Sequence, residues 1–106
     1  PPSASGACGP TNSNLDIDPS RSPMTAEEAN EIYGAELEYQ ASRKGWNLPI
    51  QKGLRSQADY AVIYRLRHQY GYDPDDLAAL LQFESDKATE GGLDYVIRTV
   101  NAAYYQ

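Results

Sequence analysis

The sequence predicts an all-α fold, a small four-helix bundle preceded by a disordered linker. Three observations predict it. Apolar residues recur at i, i+3, i+4 spacing in successive stretches and nowhere alternate as a half-buried strand requires. Residues that start and stop helices bracket those stretches. Five of the seven prolines fall within the first 23 residues, where Leu15 and Ile17 are the only sizeable apolar groups. Such a segment buries too little surface to offset its chain entropy. Residues 1–23 therefore read as a flexible Pro/Ser/Gly linker, in which Leu15 and Ile17 stay undocked or else lie on a neighbour as a short extended piece, and residues 24–106 as the helix-bundle domain.

The first helix starts at the capping box Thr25-Ala-Glu-Glu28, with Met24 placed to staple against Ala29, and runs to Lys44 before the stop at Gly45. Its inner stripe is Ala29, Ile32, Tyr33, Leu37 and Gln40/Ala41; Glu27, Glu28, Glu31, Glu36 and Glu38 form its wet face. A connector from Trp46 to Arg55 packs down through Trp46, Leu48, Ile50 and Leu54. The second helix spans Ser56 to Gly71, with Ser56 as N-cap and Gly71 as left-handed stop. Ala58, Ala61, Val62, Leu66 and Gln69/Tyr70 face its core, while Arg65, Arg67 and His68 project elsewhere. The third opens on Asp73 as N-cap with Pro74 at the first helical position, and turns Leu77, Leu80, Leu81 and Glu84 inward with Phe83 on the flank. Ser85 to Gly92 reads as a polar loop. The fourth helix runs from Leu93 to Tyr105, burying Leu93, Val96, Ile97, Val100 and Tyr104, and helices three and four clasp the second.

At 106 residues there is room for one small domain. No stretch approaches the roughly 18 apolar residues a membrane span needs, and no signal peptide is visible, so a cytoplasmic protein without a membrane partner is expected. Cys8, the single cysteine, reads as an incidental thiol. A chain that opens on Pro1 suggests a piece of something longer, a domain assisting chemistry located elsewhere. Its own catalytic motifs are sparse: one histidine, no Gly-rich phosphate loop, no zinc-spaced ligands and no Ser/His/Asp order for a triad. Phe83-Glu84-Ser85-Asp86 resembles the helix-borne glutamate of lysozyme-like enzymes, over four residues in a bundle too small for a sugar cleft. No catalytic or metal-binding residue is assigned.

Charge is informative when mapped along the chain. The formal total of −6 argues against indiscriminate nucleic-acid binding. From Arg43 to His68, however, Arg43, Lys44, Lys52, Arg55, Arg65 and Arg67 face a single carboxylate, Asp59. Trp46, Tyr60 and Tyr64 lie among them. Cations for phosphates interleaved with rings for unstacked bases are what single-stranded nucleic acid requires. The competing reading makes the tyrosines core and rim residues of a bundle that its cations merely solubilise.

Several segments resemble a known family: Tyr-Gly-Ala-Glu-Leu at 33–37, Ser-Gln-Ala-Asp-Tyr-Ala at 56–61, Gly-Tyr-Asp-Pro-Asp-Asp-Leu at 71–77, a loop at Ser85, and Asp-Tyr-Val-Ile-Arg-Thr-Val at 94–100. Together they look like the C-terminal helix-bundle domain of plasmid-type replication primases, the RepB-prime-like members of the archaeo-eukaryotic primase superfamily. The resemblance covers the last 75 residues or so, and 94–100 is its most specific part. It implies an accessory domain, without catalytic activity of its own, that holds single-stranded DNA template and initiating nucleotides during DNA replication. It also implies that the catalytic carboxylates, with their nucleotide triphosphate and divalent metal, belong to a separate catalytic primase domain of the same parent chain, leaving no cofactor here.

On that reading Lys44, Lys52, Arg55, Arg65 and Arg67 contact phosphates, and Trp46, Tyr60 or Tyr64 stack a base. Arg98 either joins them or pairs with Asp94 four residues earlier. Asp59 and Tyr95 are expected to fix helix packing rather than touch DNA. The alternative is a protein interaction module that recruits a helicase or another replication partner, or dimerises through Tyr104 and Tyr105, without binding nucleic acid.

Overall fold

A computed structural model describes residues 17–105, of Tyr105 only the backbone. Cys8, Leu15 and most of the expected linker lie outside the described residues. Four helices carry the fold, α1 (Ala26–Lys44), α2 (Arg55–Arg65), α3 (Pro74–Glu84) and α4 (Asp86–Tyr105), and there is no strand among the described residues.

The boundaries of α1 follow from its sequence. Thr25 Oγ1 accepts from the Glu28 N–H at 3.1 Å while Glu28 Oε1 accepts from the Thr25 N–H at 3.0 Å, and Gly45 closes the helix at φ 74°. The start of α2 differs from expectation. A 3₁₀ turn, Lys52–Leu54, runs directly into the helix, so Ser56 sits inside the first turn and caps nothing. At its far end α2 widens into a π-helical turn, Leu66–Tyr70, before Gly71 stops it at φ 75°. Asp73 holds the N-cap position of α3 through its carbonyl, which accepts from Leu77 N–H at 3.0 Å; its side chain makes no capping bond.

The expected loop from Ser85 to Gly92 is helix. Ser85 Oγ accepts from the Ala88 N–H at 3.1 Å, an N-cap that starts α4 at once, and only Gly92 leaves helical geometry, at φ 70°, ψ −165°. The polar run suggested a loop, but its polar side chains sit on a solvated helix face and a single hinged residue, Gly92, redirects the axis. Leu93, expected inside, is left half exposed just after that hinge.

One contiguous core joins Val62, Ile63 and Leu66 of α2, Leu77, Ala78, Leu80 and Leu81 of α3, Ala29 of α1, and Val96, Val100 and Ala103 of α4. α1 and α4 each pack against both α2 and α3, and α3 approaches the α2 rod through the π turn. The clasp is therefore built differently from the expectation: α1 and α4 grip α2, and α3 is the most enclosed helix, with Leu77 to Leu81 all buried.

The third side of α3 is covered by the segment before α1. Ile17 is 8% exposed and belongs to the core. The 3₁₀ turn Pro19–Arg21 lies on the start of α3, where Asp18 N–H donates to Asp75 Oδ1 at 2.9 Å, Arg21 Nε to Asp75 Oδ2 at 3.1 Å, and the Ser22 hydroxyl to Asp76. Two carboxylates at a helix N-terminus satisfy the macrodipole and anchor this strap together. Residues 17–22 are thus part of the fold, whereas the sequence placed them in the linker.

Candidate functional site

Along α2, Tyr60, Tyr64 and His68 follow one another at intervals of four residues, which puts them on one side of the rod. Their ring centroids are 6.1 Å apart for Tyr60 and Tyr64, at 28° between planes, and 4.3 Å apart for Tyr64 and His68. The π turn carries the third ring and fixes it, with His68 Nε2 3.2 Å from the Ala103 carbonyl of α4. A ladder of three rings results.

This ladder forms one wall of a depression of about 600 Å³ between α2 and the C-terminal end of α1, lined also by Gln40, Arg43, Lys44, Arg65 and Gln69. A second depression, of about 370 Å³, shares Lys44, Tyr60 and Ala61 with the first and adds Trp46, Ser56 and Gln57. Lys44 Nζ sits 5.7 Å from the Trp46 ring centroid. Together they make one groove. In a chain of net charge −6, no carboxylate lines it.

Its cations are held differently. Arg43 and Lys44 pair with no carboxylate among the described residues; Arg43 Nη1 donates to Tyr39 Oη at 3.2 Å. Arg65 is clamped. Its guanidinium carbon lies 3.8 Å from the Tyr39 ring centroid and 5.7 Å from that of Tyr70, and its Nε is 2.9 Å from Glu36 Oε1. Glu36 was expected on the wet face of α1, but it is buried at the edge of the α1/α2 contact, where Arg65 balances its charge.

Of the residues singled out in the sequence, the structure thus brings Lys44, Trp46, Tyr60, Tyr64 and Arg65 together. The others lie apart, so a single patch containing every cation is not formed. Arg55 donates from both terminal nitrogens to Glu90 at 2.9 Å, and these bonds hold the Glu90 carboxyl below its ordinary range. Arg67 lies over the Tyr104 ring at 4.0 Å from its centroid. Arg98 bonds to the Asp94 carbonyl at 3.4 Å rather than to its carboxylate, and Lys52 is exposed on the 3₁₀ turn before α2. Gln40, Arg43, His68 and Gln69 belong to the groove although none was assigned a nucleic-acid contact, and Gln69 and Tyr70, expected to face the core, are exposed. The four-residue spacing of Tyr60, Tyr64 and His68 was the available signal.

A third, smaller depression of about 170 Å³ ends on a buried carboxylate. Asp59, 1% exposed, accepts hydroxyl hydrogens from Tyr33 at 2.6 Å, Ser85 at 2.5 Å and Tyr95 at 2.7 Å, joining α1, the α3–α4 junction and α4 to α2. Burial first, and then the bonded carboxylate, push the Tyr95 phenol up to about 12 and raise that of Tyr33 as well. Every strong acceptor site of this carboxylate is aimed at a helix of the bundle, so its geometry is that of a staple. Glu84, the candidate acid of the lysozyme-like stretch, accepts from Asn30 Nδ2 at 3.1 Å.

No protein-family model, curated protein or solved structure matches the chain.

Proposed function

We propose that the groove between α1 and α2 holds a short run of single-stranded nucleic acid. The observation that carries this reading is the three-ring ladder of Tyr60, Tyr64 and His68 beside Arg43 and Lys44, in a groove without a carboxylate. Rings spaced along a wall offer stacking faces to unpaired bases, and two cations without acidic partners offer charge to the phosphates between them. The combined depressions are of the size that takes small ligands of one or a few nucleotide units. The narrower proposal, a DNA primase accessory domain that presents template and initiating nucleotides to a catalytic domain, rests on the resemblance at 33–37, 56–61, 71–77 and 94–100. Arg55, Arg67 and Arg98 have no part in the groove and Arg65 is held by Glu36 and the Tyr39 ring, so phosphate contact is assigned to Arg43 and Lys44.

Anisotropy of a labelled 12-nucleotide single strand tests it. With two phosphates held, log affinity falls with log salt at a slope of about −1.4, taking roughly −0.7 for each phosphate on a single strand. Tyr64→Ala weakens binding by about tenfold or more, since one stacked base contributes roughly 1–3 kcal/mol. Lys44→Ala lowers affinity and flattens the salt slope, whereas Arg98→Ala changes neither. Absence of binding at 50 mM salt, or an affinity indifferent to both groove substitutions, would overturn the reading in favour of a protein interaction module. Primer synthesis by a primase catalytic domain with and without this domain in trans tests the narrower assignment.

A further inference from the structure

Gln40 is 8% exposed, yet it lines the groove, and its amide hydrogen-bonds to no described residue. Neither amide atom is sealed from solvent, in contrast to the enclosed Arg65 and Arg67 Nε atoms, so the group opens into the depression. A primary amide carries two donors and an acceptor, and here all three face the depression rather than a protein partner.

We propose that Gln40 is a base-reading residue whose amide pairs with the edge of an adenine stacked on the Tyr60–Tyr64–His68 wall. The inference rests on the nucleic-acid reading of the groove and deepens it. A side-chain amide matches the adenine N6/N7 edge, donating to N7 while accepting from the N6 amino group. The corresponding edge of guanine shows two acceptors, and an amide has one donor group to offer in that plane. Arg65, whose fork would suit guanine, is held by Glu36 and the Tyr39 ring. A purine also covers more of a tyrosine face than a pyrimidine does.

The test compares single strands of dA12, dT12, dC12 and 7-deaza-dA12 on the full chain. The expected result is tighter binding of dA12 than of the other three by about tenfold, the value of one good bidentate base contact. In Gln40→Met, close to isosteric, dA12 falls to the level of dT12 while the salt slope is unchanged. Equal affinity for dA12 and 7-deaza-dA12 in the unaltered chain would overturn the proposal without recourse to any variant, as would a dA12 preference that survives in Gln40→Met. Both of those results leave nucleic-acid binding intact; failure to bind any of the four strands would remove the groove reading itself, and this inference with it.

Discussion

Asp59 is the residue on which most of the bundle's polar geometry converges. Three hydroxyl donors from three other segments meet one carboxylate at 1% exposure, and an unmade bond at that depth leaves a phenol or hydroxyl without water to replace it. Asp59→Ala is expected to destabilise the fold by about 3 kcal/mol, read as a lowered denaturant midpoint with unchanged slope. The same cluster sets an alkaline limit. An unfolded tyrosine ionises near 10, whereas folded Tyr95 keeps its proton to about 12, so between those values the folded chain binds more protons than the unfolded one. Stability is accordingly full below pH 10 and declines as pH rises through that window. Thermal midpoints measured from pH 8 to 11.5 should show the decline, and Tyr95→Phe should make it shallower.

Among the elements, α4 is the one shaped by glycine. Gly92 has φ 70° and ψ −165°, a combination closed to residues with a side chain, and a Cβ on Gly91 would stand 2.7 Å from Tyr95 Cβ. Both glycines therefore serve Tyr95: one turns the axis and the other lets the ring sit beside the backbone and reach Asp59. Gly92→Ala is expected to cost about 1–3 kcal/mol, measured by chemical denaturation. The N-terminal cap of α1 works by a different route. Thr25→Ala removes one side of the capping box and should cost about 1 kcal/mol without affecting the groove, whose α1 residues lie at the other end of the helix.

For the whole molecule, the strap at residues 17–22 belongs to the folded unit. Ile17 closes the outer side of α3, and Asp18, Arg21 and Ser22 tie down its N-terminus. A chain beginning at Met24 should be less stable than one beginning at Leu15 by about 2 kcal/mol, chiefly the burial of one isoleucine side chain. Arg21 and Asp75 are too exposed to add much to that figure. The distribution of charge is also a property of the whole. Among the described residues acids occur in the strap and on all four helices, yet none lines the groove between α1 and α2.

The amino-acid sequence by itself determined the helical class, the number of helices and the limits of α1 and α3, because these rest on local signals: a capping box, a proline at the first turn, glycines past the last turn and an apolar period of 3.6. It also anticipated that Asp59 and Tyr95 serve packing and that Tyr33 faces inward, whereas Ser85 read only as the start of a loop. Only the tertiary structure decided which cations share a surface. Arg55 and Arg65 each found a carboxylate 35 and 29 positions away in the chain, Glu90 and Glu36, and Arg67 found the ring of Tyr104. Contacts between distant segments depend on how rods cross, which no local spacing encodes. For the same reason the buried Gln40, indistinguishable in sequence from any other helical glutamine, acquires its significance from the groove that α2 places beside it.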